Sequence, residues 1–174
     1  QHLLISPDGE SIEHKKLTSD GKHDIYSSLR QDSSPGLVLF TSGTSGEPKA
    51  AVHNFSLLLE KFKHKRSSLK TINFLLFDHW GGLNTLFHTL SNNGVTLAIT
   101  DRSPDGICEL IEKQKIEVLP ASPTFLNLLL ISESYDRFDL SSLKIITYGT
   151  EPMPQNTLNR LTERLPKIKF KQTY

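Results

Sequence analysis

The chain has 174 residues, a formal net charge of +1 and a single cysteine. That length suits one ordinary hydrophobic core, and the balanced charge gives no electrostatic case for nucleic acid or an anionic membrane surface. One thiol excludes an internal disulfide and suits a reducing, cytoplasmic compartment; no apolar run reaches the ~18 residues of a membrane span, and the first residues show no signal-peptide pattern.

Residues 1–34 are polar and turn-rich and read as a segment leading into the domain. Within it Leu3-Leu4-Ile5 is a candidate edge strand, Ser6-Pro7-Asp8-Gly9 a turn, and residues 25–29 a short helix. From 35 to 174 the pattern is regular. Residues 37–41 predict a buried strand, and Ala50-Ala51-Val52-His53 leads into a helix capped by Asn54. That helix runs to about residue 65, with Phe55, Leu58, Leu59 and Phe62 on one face. A strand at 71–77 follows, then a helix over 83–92 stopped by Gly94, a strand at 95–100, and a helix over 104–114 opened by its proline. Next come a strand at 116–120, a helix from Pro123 to about 134, a strand at 143–148, a helix over 154–165 and a strand at 168–173. This alternation predicts an α/β fold, a largely parallel β-sheet flanked by helices. In such sheets ligands lie beyond the carboxyl ends of the strands.

The densest chemical signal is Thr41-Ser42-Gly43-Thr44-Ser45-Gly46-Glu47-Pro48-Lys49, directly after the apolar run Leu37-Val38-Leu39-Phe40. Two glycines let backbone N–H groups turn towards one point, and the hydroxyl side chains add donors around it. Such a nest favours an anion with several oxygens, such as a polyphosphate. Lys49 brings a full positive charge, and each charge-assisted hydrogen bond contributes roughly 1.5–3 kcal/mol. The spacing is not that of a Walker A loop; a Ser/Gly-rich surface turn is the alternative reading.

Other segments carry less on their own. Asp78-His79-Trp80-Gly81-Gly82 reads as a strand end opening a helix, with Trp80 either core or pocket wall. In Tyr148-Gly149-Thr150-Glu151-Pro152-Met153, Gly149 would let a flat base approach the backbone and Pro152 would stiffen the turn. A plain loop with Glu151 at the next helix's positive end reads equally well. Gln172-Thr173-Tyr174 has almost no signal alone. Cys108, among Ile107, Leu110 and Ile111, reads as a buried structural thiol. His53 and His88 are placed on helices as structural residues. Lys61, Lys63, Lys65 and Arg66 read as a solvated helix end, the alternative being a coenzyme phosphate patch.

Taken together, these segments resemble the acyl-adenylate-forming (AMP-binding) superfamily of acyl-CoA synthetases, peptide-synthetase adenylation domains and luciferases, from about residue 37 to 174. The run from Thr41 to Lys49 is similar to the family's phosphate loop, and His79 with Gly82 to its His-x-x-Gly element. Ala121-Ser122-Pro123-Thr124 resembles its strand ending in Pro-Thr, Gly149-Thr150-Glu151-Pro152 its adenine-contacting element with Met153 for the usual Leu, and Gln172-Thr173-Tyr174 the start of the element whose Tyr packs on adenine.

The resemblance implies part of a large N-terminal domain that uses ATP and Mg2+ to activate a small carboxylic acid as acyl-AMP. The acyl group then passes to the thiol of coenzyme A or of a carrier protein, an acyl-carrier protein being the implied macromolecular partner. It implies that Thr41, Ser42, Gly43, Thr44, Ser45, Gly46 and Lys49 hold the β- and γ-phosphates, and that Gly149, Thr150, Glu151, Pro152, Gln172, Thr173 and Tyr174 hold the nucleoside. His79 would stand where the carboxylate meets the α-phosphate, either neutral and orienting the carboxylate or charged and offsetting charge at phosphorus. The family's Mg2+-holding Glu, its ribose-holding Asp, its hinge and its late catalytic Lys are not in these residues. The chain opens on Gln1 and its only methionine is Met153. The expectation is therefore an internal fragment that is inactive alone; the alternatives are a stand-alone, non-catalytic ATP- or AMP-binding module and a remnant that binds nothing.

Overall fold

A computed structural model describes residues 2–5, 12–15, 24–42, 48–149 and 151–173. The chain divides into two units, Gln1–Val38 with Val52–Leu58 and Leu39–Ala51 with Leu59–Tyr174. In the first, β1 (His2–Ile5) pairs antiparallel with β2 (Ile12–Lys15), Ile5 opposite Ile12, a second strand that the polar sequence does not announce. Helix α1 (Asp24–Gln31) follows and buries Leu29.

Strands β3 (Gly36–Ser42) and β4 (Pro48–Asn54) form a two-stranded sheet of their own. This corrects the expectation that residues 37–41 are a buried strand of the parallel sheet. Leu37, Val38 and Leu39 are half-buried and Phe40 is 62% exposed. The short stretch between the two strands falls far below the dozen residues a parallel crossover needs, so the chain pairs back on itself. His53 lies in β4, not on a helix. The Asn54 cap is present, its Oδ1 accepting from Leu57 N–H at 3.1 Å. Helix α2 (Phe55–Glu60) is shorter than predicted and gives way to a 3-10 turn at Lys61–Lys63. Lys61 and Lys65 would face each other at i,i+4, a like-charge pair that weakens further helix.

The second unit holds a five-stranded sheet in the order β6-β5-β7-β8-β9. Its strands are β5 (Lys70–Ile72), β6 (Val95–Leu97), β7 (Val118–Ala121), β8 (Ile145–Tyr148) and β9 (Lys169–Gln172), and every ladder is parallel. The helices between them are α3 (Trp80–Ser91), α4 (Pro104–Gln114), α5 (Pro123–Ser132) and α6 (Gln155–Arg164). The expected α/β fold, a parallel sheet flanked by helices, is what the chain forms. Ser103 and Ser122 cap α4 and α5 through their side-chain oxygens, with Pro104 and Pro123 opening the first turns. Pro154 stands outside α6 as its N-cap.

The strands are shorter than the apolar runs suggest. After β5, Asn73 N–H still donates to Leu97 O at 2.9 Å, but its Nδ2 then bonds Leu75 O at 3.0 Å and the chain turns away. Side chains alternate between the two faces of the sheet. Ile72, Leu119, Ile146 and Tyr148 point into the core, which they share with Ile107 and Ile111 of α4, Leu126 and Leu130 of α5, and Leu161 of α6. Their neighbours Thr71, Val118, Ile145 and Thr147 line a cavity together with residues of α3. Among the described residues no helix is long and apolar enough to cross a membrane.

Candidate functional site

From β5 the chain passes to β6 on one side, then returns to place β7 on the other. The carboxyl ends of β5 and β7 therefore flank a topological switch point, where open α/β sheets bind ligands. His79 follows β5, Ser122-Pro123-Thr124 follows β7, Gly149 follows β8 and Thr173 follows β9. Segments chosen for their chemistry thus share one edge of the sheet.

His79 is the N-cap of α3, which starts three residues before the predicted 83. Its Nδ1 accepts the Gly81 N–H at 3.0 Å, satisfying one of the helix's orphan donors. The neutral ring therefore carries its hydrogen on Nε2, and the side chain is exposed. A Cβ on Gly82 would stand 2.1 Å from Leu76 O, so only glycine lets the turn before α3 approach this closely. Trp80, half-buried, lies under Lys61, whose Nζ is 4.9 Å from the ring centroid.

The loops after β7, β8 and β9 are tied to one another. Glu151 Oε2 accepts from Thr124 Oγ1 at 2.5 Å and Thr124 N–H at 3.3 Å. Its charge meets the positive end of α5, not that of the next helix as the sequence suggested. Thr173 N–H donates to Tyr148 O at 2.8 Å, and its Oγ1 lies 3.2 Å from the same oxygen. A Cβ on Gly149 would come within 2.4 Å of Thr173 O. Gly149 is thus required by the neighbouring chain itself. Gln172, Thr173, Glu151 and Pro152 are exposed at this edge. Thr41 and Ser42 lie in β3 and Lys49 in β4; Gly43, Thr44, Ser45, Gly46, Thr150 and Tyr174 lie outside the described residues.

Sequence reasoning missed the cavity on the α3 face, about 290 Å³ in volume. Thr85 and His88 of α3 wall one side, Thr147 and Lys171 of the sheet the other, and Arg66 closes one end. Burial first, then the positive charges of Arg66 and Lys61, hold the His88 pKa below its usual value. The readable signal was the polar residues Thr71, Thr147 and Lys171 at alternate strand positions. On the other face, burial foremost and then Asp105 push the Cys108 thiol up to about 12, as a structural cysteine requires. Among the described residues no three His, Cys, Asp or Glu side chains gather to hold a metal ion.

The family model described as "AMP-binding enzyme" matches residues 3–174. The chain is 29% identical over 147 residues to 4-coumarate-CoA ligase 1 of Narcissus pseudonarcissus, covering 78% of this chain and 27% of that one. It is 24% identical over 170 residues to the D-alanine–D-alanyl carrier protein ligase of Bacillus cytotoxicus, covering 92% and 33%. The solved structure of the luciferase-like enzyme from the nonluminescent Zophobas morio mealworm superposes with a TM-score of 0.68 at 25% identity, covering 79% and 33%. The chain thus spans a third or less of the length of these relatives.

Proposed function

The chain belongs to the AMP-binding enzyme family, and from that premise we propose that it supplies part of the nucleotide and acid site of an acyl-adenylating ligase. The observation that carries this reading is the convergence of His79, Thr124, Gly149, Glu151 and Thr173 at the carboxyl edge of one parallel sheet. The relatives' names support the reaction class, a CoA ligase and a carrier protein ligase each joining an acid to a thiol carrier. The acceptor thiol is accordingly that of coenzyme A or of an acyl-carrier protein, in a reducing cytoplasm.

In this reading the carboxylate oxygen attacks the α-phosphorus of ATP, pyrophosphate leaves, and the acyl-AMP then yields its acyl group to the thiol. The residues from Thr41 to Lys49 hold the β- and γ-phosphates, which is positioning and charge stabilisation of the departing pyrophosphate. His79, with Nδ1 engaged by the backbone, offers Nε2–H to a carboxylate oxygen or to the α-phosphate. Gly149, Thr150, Glu151 and Pro152, with the end of β9 at Gln172-Thr173 and then Tyr174, form the adenine side of the site. Glu151 holds that loop in place through Thr124.

Calorimetry with ATP and Mg2+ tests the reading. Wild-type chain is expected to bind weakly, the Thr44→Ala, Lys49→Ala double variant not at all, and neither to release pyrophosphate when an acid is added. Turnover by the 174 residues would overturn the inactive-alone part. Absence of any heat at millimolar ATP would favour a remnant that binds nothing.

A further inference from the structure

Helix α3 begins with its His79 cap at the carboxyl edge and runs back over the sheet, as the helix between two parallel neighbours must. His88 lies nine positions along it (79 to 88), about 13 Å from His79 at 1.5 Å per residue. The cavity follows the same course, from Thr147 and Thr173 beside the carboxyl edge to Arg66 and His88 at its far end. At about 290 Å³ it matches the small end of ligand-binding cavities.

Its walls mix apolar side chains with positive charge. Val118, Pro120 and Ile145 line it alongside Thr85 and Thr147, Arg66 and Lys171 bring positive charge, and no Asp or Glu lines it. Among the described residues neither Arg66 nor Lys171 is ion-paired with a carboxylate. Both residues are exposed, so an alkyl or plain aromatic tail seated here would leave them solvated and unpaired and gain nothing from their charge. An anion would instead pair with Arg66 and draw a proton towards His88, whose ring burial and then the neighbouring cations otherwise disfavour charging.

We propose that this cavity selects a carboxylic acid with a second anionic group at its far end, the reacting carboxylate lying near His79 and the distal anion at Arg66 and His88. This rests on the acid-activating reading above and adds the substrate class. Arg66 is the specificity-determining residue, and Lys171, in register with Thr147, adds positive charge nearer the carboxyl edge.

The test is a titration of the chain, with ATP and Mg2+ present, by octanedioate and by octanoate, followed by calorimetry and by the His88 imidazole resonances. Octanedioate is expected to bind at least tenfold more tightly than octanoate and to raise the His88 titration midpoint. Arg66→Met should cut that preference to about twofold, while Lys113→Met, on the exposed face of α4, leaves it intact. Octanoate binding as tightly as octanedioate, or a preference unaffected by Arg66→Met, overturns the proposal and leaves the acid site standing. Failure of both acids to bind a chain that keeps its folded spectrum and its ATP heat removes the acid site itself, and the proposal with it.

Discussion

The two faces of the five-stranded sheet are made from adjacent residues of the same short strands, yet they do different work. Ile72, Leu119 and Ile146 are fully buried under α4, α5 and α6, whereas Thr71, Val118, Ile145 and Thr147 border a cavity under α3. Alternation of side chains makes this possible, because one residue of register separates core from site. The face under three helices carries the stability, and the face under one leaves the cavity in which an acid is proposed to bind. Stability and recognition can therefore be perturbed separately, one position apart.

The sharpest contrast is chemical protection. Cys108, on the packed side, is 1% exposed, with its thiol pushed up to about 12 by burial. Labelling by a thiol reagent at pH 8 is expected to be at least roughly a thousandfold slower in the native chain than in urea, from thiolate scarcity and lack of access. Rapid native labelling would mean that the helical side is not closed. Next in size is the adjacent pair on β8. Ile146→Ala should cost about 2–5 kcal/mol through lost burial and a residual cavity, and Thr147→Val should stay within about 0.5 kcal/mol. Urea midpoints measure both, and equal losses would erase the distinction between the faces.

The sequence was most legible where local chemistry and packing agree. Helix α4 runs over the predicted 104–114, with a serine cap, a proline in its first turn and Ile107, Cys108 and Ile111 on the buried stripe. Periodicity also located the strands, but not their ends. The run Phe74-Leu75-Leu76-Phe77 reads as continuing β5, yet Phe74 turns into the core against Phe125 while Leu76 and Phe77 are exposed. Tertiary packing overrides the run. Of the site, His79 and Gly149 stood out by motif, because each sits at a strand end where the chain must turn. The Glu151–Thr124 tie was invisible, because it joins loops 27 residues apart that meet only once β7 and β8 are neighbours. The cavity that Arg66 and His88 share was invisible for a similar reason: it exists only after α3 folds back over the sheet.

That tie offers a smaller perturbation on the carboxyl edge. Glu151→Gln keeps an oxygen for Thr124 but removes the charge from the first turn of α5, and about 0.5–1 kcal/mol of stability should go with it. Combined with Thr124→Val, the loss should be less than the sum of the two single losses, since both changes act on one contact. Additive losses would show that Glu151 and Thr124 act independently and that the loop is held by other contacts.

The amino edge of the same sheet gives the smallest effect, and it is read by pH. Glu117 Oε1 accepts from Lys144 Nζ at 2.5 Å and its Oε2 from Lys70 N–H at 2.8 Å, joining the starts of β5, β7 and β8. The Lys144 hydrogen bond chiefly, then that of Lys70, holds the Glu117 carboxyl below its ordinary 4.5. A carboxyl whose folded pKa is depressed stabilises the fold above its unfolded value. That contribution is lost as pH falls from about 4.5 through the folded pKa. The pair is partly exposed, so the change should stay below about 1 kcal/mol. Wild-type urea midpoints are expected to fall more steeply below pH 4.5 than those of Glu117→Gln. Parallel slopes would mean that the amino edge is held by its backbone ladders alone, leaving side-chain ties as a property of the carboxyl edge, where the ligand is proposed to bind.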